Sequence, residues 1–214
     1  MTKTLIIACL VALAVTTFGV GQAQADPIVV YNFTSDHCTG TCGTPPFGTV
    51  TLEQILLDVK VTVSVDGPGE SALAFVTTGP GVANEQNFLF NAVDVVLGDI
   101  VVAPHSPYLL ATAGAYGKAA LGTFAFGISC PDCGNGADGG FSSDIVFTVT
   151  GATIADLTHA NAVGNVFIAD VLGANNRTGA VDATTARVPD GGMTLTLLGG
   201  ALVGLGALRR KFGA

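Results

Sequence analysis

The sequence contains no tryptophan and little charge, and the charge it has is mostly of one sign. Its 214 residues include 8 Lys+Arg against 16 Asp+Glu. Between residues 26 and 187 there are 15 acidic residues and only 4 basic ones. So acidic a segment argues against binding to nucleic acid or to an anionic membrane surface. Lysine and glutamate, which are common on helix surfaces, are scarce, so the composition favours sheet over helix.

The sequence also lacks the Gly-x-Ser-x-Gly, His-Glu-x-x-His and Walker motifs. Their absence argues against the enzyme classes that these motifs identify. Its three histidines, His37, His105 and His159, stand in different segments. The glycine-rich run 132–140 and the region around Asp94 offer oxygen ligands, but the EF-hand spacing is absent, so we expect solvated acidic turns there. We therefore predict a non-catalytic protein with no cofactor and no metal.

The N-terminal residues have the three parts of an export signal. A basic residue, Lys3, is followed by an apolar stretch at 5–20 and then by an Ala-x-Ala site. This order predicts a helical secretory signal peptide over residues 1–25, recognised by the Sec machinery and cleaved by signal peptidase. The predicted cleavage-site residues are Ala23, Ala25 and Asp26.

The C-terminal segment also has three parts: a short polar motif, an uncharged run at 193–208 and a basic cluster. The run is rich in Leu, Gly and Ala, and it predicts a transmembrane helix over 192–208. Sixteen helical residues reach about 24 Å, short of a hydrocarbon core of about 30 Å. The basic cluster should stay cytoplasmic, which places the preceding chain in the periplasm. The motif is Val188, Pro189, Asp190, Gly191 and Gly192, and the cluster is Arg209, Arg210 and Lys211.

This three-part tail resembles the PEP-CTERM sorting signals of Gram-negative bacteria, in the variant with Val-Pro-Asp in place of Val-Pro-Glu-Pro. The resemblance implies that an exosortase, a multi-spanning membrane enzyme, recognises residues 188–192 and cuts there. The product would pass from the inner membrane to the cell surface or to the exopolysaccharide matrix. Segments 34–43, 130–136 and 164–170 also resemble PEP-CTERM proteins, a family that implies no enzymatic activity.

Between the two ends the sequence predicts a β-domain over residues 26–182, followed by a short polar spacer at 183–187. Apolar and polar residues alternate from Leu57 to Val65 and again from Ile145 to Thr150, as in half-buried strands. With turn-forming residues between most segments, the pattern predicts an antiparallel β-sandwich, immunoglobulin-like or jelly-roll-like, with a flattened barrel as the alternative. Residues 108–120 could be a loop or a helical turn. The predicted strands are 28–33, 49–52, 57–65, 72–77, 88–90, 99–102, 123–128, 145–150 and 166–170.

Four cysteines remain after removal of the signal peptide, in two close pairs, Cys38 with Cys42 and Cys130 with Cys133. An even count in an exported protein predicts disulfides. Pairing within each pair closes two small loops, whereas cross-pairing would close a loop of about 90 residues and stabilise more. We favour local pairing because both pairs stand in glycine-rich turns. A four-cysteine zinc site is one alternative. A thioredoxin-type redox centre at Cys130-Pro-Asp-Cys133 is a weaker one, because no helical pattern follows it.

The sequence therefore predicts an exported surface or matrix protein that is structural and has no catalytic activity. A polysaccharide-binding module is the second hypothesis, and a hydrolase is the third. Exposed coplanar aromatic side chains on one face would favour the binding module, although only three tyrosines are available. A cluster of His, Asp and Ser in a deep pocket would favour the hydrolase.

Overall fold

The computed structural model describes residues 27–65, 72–78, 85–184 and 186–187. Within these residues no helix is both long enough and apolar enough to cross a membrane. Outside them lie four predicted features of the sequence: the signal peptide 1–25 with Ala23, Ala25 and Asp26, the sorting motif from Val188 to Gly192, the membrane helix 192–208, and the basic cluster Arg209, Arg210 and Lys211.

The described residues form thirteen strands and little helix. The strands are β1 Ile28–Asn32, β2 Ser35–Asp36, β3 Thr49–Ile55, β4 Asp58–Ser64, β5 Ala72–Phe75, β6 Gln86–Phe90, β7 Ile100–Val102, β8 Leu110–Lys118, β9 Gly122–Ser129, β10 Ile145–Val149, β11 Phe167–Gly173, β12 Thr178–Ala183 and β13 Ala186–Arg187. One α-helical turn, α1, spans Ile154–Leu157, and two 3-10 turns span Leu97–Asp99 and Gly136–Gly139.

These strands make two antiparallel sheets. Within the described residues, the first sheet has the order β13-β1-β3-β4-β10-β7. The second has the order β2-β12-β11-β6-β9-β8. Strand β5 pairs with β11 beyond the point where β6 stops, so β5 and β6 lie end to end along one edge of β11. The predicted all-β, antiparallel fold is confirmed, while its immunoglobulin-like or jelly-roll-like connectivity stays a prediction.

The two sheets pack face to face through aromatic and β-branched side chains. Phe147 of the first sheet contacts Phe90 of the second, with ring centroids 5.3 Å apart. Tyr31 meets Phe167 edge-on at 4.9 Å. These residues belong to one buried cluster that takes apolar side chains from both sheets. Alternation along strands such as β4, with its buried Val59, Val61 and Val63, supplies this core, as the sequence predicts.

The second sheet also buries part of its opposite face. Leu89 and Ile168 alternate with core residues on their strands, so they point away from the main core. They form a smaller buried cluster with Tyr116, Leu121 and Phe124 of the β8–β9 hairpin. The residues near the hairpin turn, whose strands form one edge of this sheet, therefore cover part of its outer face.

Several segments differ from the sequence-based expectation. Strands β2 and β12 are absent from the predicted strands. Residues 108–120, expected as a loop or helical turn, contain the nine-residue strand β8. This strand is rich in Ala, Gly and Thr and is largely exposed, so it carries no apolar alternation. Within the predicted spacer 183–187, Ala186 and Arg187 form β13 and pair with Tyr31 and Val30.

Candidate functional site

A polar cleft of about 490 Å³ opens where the tip of the β8–β9 hairpin meets strand β12 and the loop that carries Cys38. Two ion-paired side chains, His37 and Lys118, are among the residues that line it. Its lining includes His37, Thr39, Thr78, Lys118, Thr178 and Gly179.

At one side of the cleft Lys118 pairs with a buried carboxylate. The Nζ of Lys118 donates to Oδ2 of Asp170, and the Oγ1 of Thr78 donates to the same oxygen at 2.8 Å. Asp170 stands on β11 between the stretches that pair with β6 and with β5. Its Oδ1 is buried and has no hydrogen-bond partner among the residues that the structure describes. Burial raises the pKa of the Asp170 carboxyl, although Lys118 and Thr78 act in the opposite direction.

At the other side His37 pairs with a second buried carboxylate. The Nε2 of His37 lies 2.9 Å from Oδ1 of Asp182, which is almost fully buried, while His37 is partly exposed. The two residues are 145 positions apart in sequence, so the acidic partner of His37 is not its neighbour Asp36. Asp182 holds the imidazole at the mouth of the cleft, because it fixes one of the two ring nitrogens.

The His37 segment sits against β12 because glycine leaves room for it. A Cβ added to Gly179 would come within 2.5 Å of the Cα of Cys38. A Cβ added to Gly173 would come within 2.1 Å of the carbonyl oxygen of Cys42. Both contacts involve backbone atoms, so neither strand could carry a larger residue without moving the loop. The two glycines therefore position the disulfide loop, and with it His37, over the sheet.

The structure pairs the four described cysteines locally. Cys38 is bonded to Cys42 and Cys130 to Cys133, with Cα atoms 5.5 Å and 5.3 Å apart. This agrees with the favoured local pairing and not with the cross-paired or zinc-bound alternatives. As disulfides, these sulfurs have no thiolate with which to attack a substrate or bind a metal.

A second polar cavity, of about 510 Å³, lies beside the Cys130–Cys133 disulfide. Its walls are held by hydrogen bonds between side chains. The Oγ1 of Thr112 donates to Oε1 of Gln86 at 2.7 Å, and the Oγ1 of Thr77 donates to Oδ1 of Asn135 at 2.9 Å. The side-chain hydroxyl and amide groups of this cavity are thus largely hydrogen-bonded to one another.

The loop at 132–140 that offered calcium-type ligands is folded as a 3-10 turn against β5. The side chain of Asn135 accepts a hydrogen bond from Thr77, and the side chains of Asp132 and Asp138 are exposed. Across the described chain, no group of three or more His, Cys, Asp or Glu side chains is placed to hold a metal ion.

A serine contacts a histidine away from the cleft. The Oγ of Ser143 lies 3.1 Å from Nε2 of His105, and Nδ1 of His105 lies 2.8 Å from the carbonyl oxygen of Pro107. In a catalytic triad the second nitrogen of the histidine contacts a carboxylate. Here it contacts a backbone carbonyl instead. In the described residues, the histidine that contacts an aspartate is His37, whereas the histidine that contacts a serine is His105. The remaining histidine, His159, helps to lower the pKa of Asp156, after the larger effect of hydrogen bonds from Thr153.

Sequence reasoning missed Lys118, Thr78, Asp170 and Asp182. A signal for the two aspartates was present, because each interrupts an otherwise apolar stretch of a buried strand, in Ile168-Ala169-Asp170-Val171 and in Val181-Asp182-Ala183. A carboxylate in such a position needs a partner. Their partners come from residues 37, 78 and 118, which no spacing rule connects to them.

The described chain ends at the edge of the first sheet. Strand β13 pairs antiparallel with β1, with Arg187 opposite Val30. The predicted sorting motif begins at the next residue, Val188. The motif is therefore attached to an edge strand and not to a buried one.

Comparison with known proteins identifies this C-terminal segment. Residues 187–212 match the family model described as the VPDSG-CTERM motif. No curated protein and no solved structure matches the chain. The match and the order of motif, apolar run and basic cluster indicate an exported protein sorted to the surface. The chain thus carries, at residues 187–212, a PEP-CTERM-like C-terminal sorting signal of the VPDSG type.

Proposed function

We propose that this chain is an exosortase-sorted, non-catalytic structural protein of the cell surface or extracellular matrix of an exopolysaccharide-producing Gram-negative bacterium. After Sec export and signal-peptide removal, the tail holds the protein in the inner membrane with the β-sandwich in the periplasm. The exosortase then cuts at the motif. The protein passes to the surface or to the matrix.

The position of the matched motif carries this proposal. The match begins at Arg187, the last residue of β13, and the Val-Pro-Asp motif follows directly. A cut within residues 188–192 would remove the apolar run while leaving every described strand intact. A sorting signal placed inside a buried strand could not be removed without unfolding the domain.

The polar cleft supports the non-catalytic part of the proposal. His37 and Lys118 could supply an imidazole and an ammonium group, but each faces a buried carboxylate. The hydroxyl groups that line the cleft in the described residues belong to threonines, and none of them bonds to His37. Activation of a nucleophile needs a hydroxyl or thiol within hydrogen-bond reach of the base.

A polysaccharide-binding module is the alternative, and the positions of the aromatic side chains weigh against it. Within the described residues Tyr108 is the one exposed aromatic side chain, because Tyr31, Tyr116 and the phenylalanines are all buried. A sugar-stacking surface commonly needs several exposed rings. Binding of the released protein to a glycan array would favour the alternative.

The sorting step is tested by changing the motif in the full chain. The double variant Pro189→Ala/Asp190→Ala should stay cell-associated with its tail intact. Thr184→Ala is the matched control, since Thr184 is exposed in the same stretch but precedes the motif. Normal release of the motif variant would contradict the proposal, and retention of the control would show that the effect is not specific to the motif.

A further inference from the structure

One end of the first sheet is unusually apolar. At the turn between β3 and β4, Leu56 and Leu57 are 85% and 80% exposed. Ile55 and Ile28 beside them are also exposed. Ile28 pairs with Glu53, two residues before Ile55, so the start of β1 and the β3–β4 turn are at the same end of the sheet.

The turn itself does not suit leucine. Leu56 has a φ of 57°, in the left-handed region that two-residue hairpin turns usually fill with Asn, Asp or Gly. Neither leucine thus contributes to the core, and Leu56 does not match its position in the turn. A break of local rules of this kind, with no structural gain, is expected at functional contacts.

The same end receives further apolar residues from a neighbouring segment. Strand β7 begins there, because Ile100 pairs with Val149 and Val149 with Val59, two residues beyond the turn. The segment before β7 adds the exposed side chains of Val96 and Leu97. We call these six residues the apolar end: Ile28, Ile55, Leu56, Leu57, Val96 and Leu97.

The chain leaves the fold toward the apolar end. Because β13 runs antiparallel to β1, the backbone at Arg187 points toward the start of β1. Arg187 lies level with Val30 and Thr51, five residues before Leu56 along β3, or about 17 Å from the turn. The apolar run starts at Met193, and six residues reach at most about 21 Å. The run can therefore begin at the level of the turn.

The charged side chains near the apolar end indicate which interaction could hold it at a membrane. The carboxylate of Asp58 accepts a hydrogen bond from the backbone of Gly151, and that of Asp99 from the backbone of Val96. Asp94 lies in the same loop as Val96. Contact with a membrane here must come from apolar side chains and not from attraction to anionic lipid.

We propose that the apolar end rests on the outer surface of the bilayer that holds the tail, with Leu56 and Leu57 inserted into the interfacial region. This inference rests on the proposed function, since it needs the tail to be in the membrane. It would hold the motif at a fixed height above the bilayer, and it would orient the β-sandwich relative to the membrane before the tail is cut.

The test uses the full chain without its signal peptide, inserted into phosphatidylcholine vesicles that contain nitroxide-labelled lipid. A polarity-sensitive fluorophore is attached to a single new cysteine in Leu57→Cys, because the described native cysteines are in disulfides. Tyr108→Cys is the matched control: Tyr108 is 59% exposed and follows the far end of β7. Quenching by nitroxide lipid should be several-fold greater at position 57 than at 108, and should weaken when anionic lipid is added.

A second variant separates membrane contact from folding. Leu56→Gly/Leu57→Asn places glycine at the position with positive φ and a common turn residue after it, so the domain should unfold at the same or a higher temperature. With the fluorophore attached at Val96→Cys, this double substitution should lower the quenching by nitroxide-labelled lipid several-fold.

Flotation of the vesicles reports insertion of the tail independently. If the chain floats but positions 57 and 108 are quenched equally, the inference is wrong and the proposed function stands. A blue shift at 57 without nitroxide quenching would indicate contact with a second copy, and would also reject it. A chain that does not float would reject tail insertion and the inference together.

Discussion

Lys118, at the end of β8, donates a hydrogen bond to the buried carboxylate of Asp170 in the middle of β11. The contact links the hairpin at one edge of the second sheet to a central strand of the same sheet. Both side chains are largely buried, so the desolvation of each charge is offset mainly by the other.

We predict that Lys118→Met destabilises the domain by about 3–5 kcal/mol at neutral pH, since it leaves the Asp170 carboxylate buried without its cation. The double variant Lys118→Met/Asp170→Asn should recover most of this loss, because no buried charge remains. Urea unfolding measures both. Lys60→Met is the control: Lys60 and Glu53 form an exposed pair at 3.7 Å, so the change should cost about 0–1 kcal/mol.

The raised pKa of Asp170 predicts a pH dependence of known sign. Burial raises its pKa above the ordinary value of 3.8, so the folded state binds this proton more tightly than the unfolded state. The stability that this group contributes is complete below the unfolded pKa and is lost as pH rises through the folded pKa. As pH rises above the unfolded-state pKa, wild type should therefore lose stability relative to Asp170→Asn. A constant difference, or one that grows in favour of wild type, would contradict the assignment.

The disulfide pairing can be read from unreduced tryptic peptides. Trypsin cuts after Lys60, Lys118 and Arg177, which places the two cysteine pairs on peptides 26–60 and 119–177. Local pairing predicts two separate peptides, each lighter by two hydrogens than its reduced form. A single covalently linked species would show cross-pairing. Free thiols together with one bound zinc would show the metal site.

Much of the fold could be predicted from the sequence, because strands with one buried face carry alternating apolar residues. Strands β4 and β10 follow this rule closely. Strand β8 does not, since its residues are small and mostly exposed, and its place is set by pairing with β9. The order of strands within the sheets could not be predicted either, because it depends on contacts between distant segments.

The candidate site was predictable only in part. The sorting motif is a contiguous signal that a membrane enzyme would read along the chain, so sequence alone finds it. The cleft is different: His37 meets Asp182 across 145 residues and Lys118 meets Asp170 across 52. Such pairs exist only once both sheets are formed.

The non-catalytic assignment predicts that the released protein shows no turnover of esters, glycosides, phosphodiesters or peptides. The histidine with a buried acidic partner, His37, is the side chain that would serve as a base, and no described hydroxyl bonds to it. Turnover that is lost in His37→Ala but kept in His159→Ala would show that the cleft is an active site. Turnover lost in His105→Ala would point to the Ser143–His105 pair instead.

The account depends most on removal of the tail at the motif that follows β13. Its most direct test is the intact mass of the protein recovered from the surface or medium of cells with and without an exosortase. With the enzyme, the mass should correspond to a chain that starts at Asp26 and ends within residues 188–192. Without it, the protein should keep Arg209, Arg210 and Lys211 and stay with the membrane. Surface protein that still carries this basic cluster in exosortase-containing cells would contradict the account.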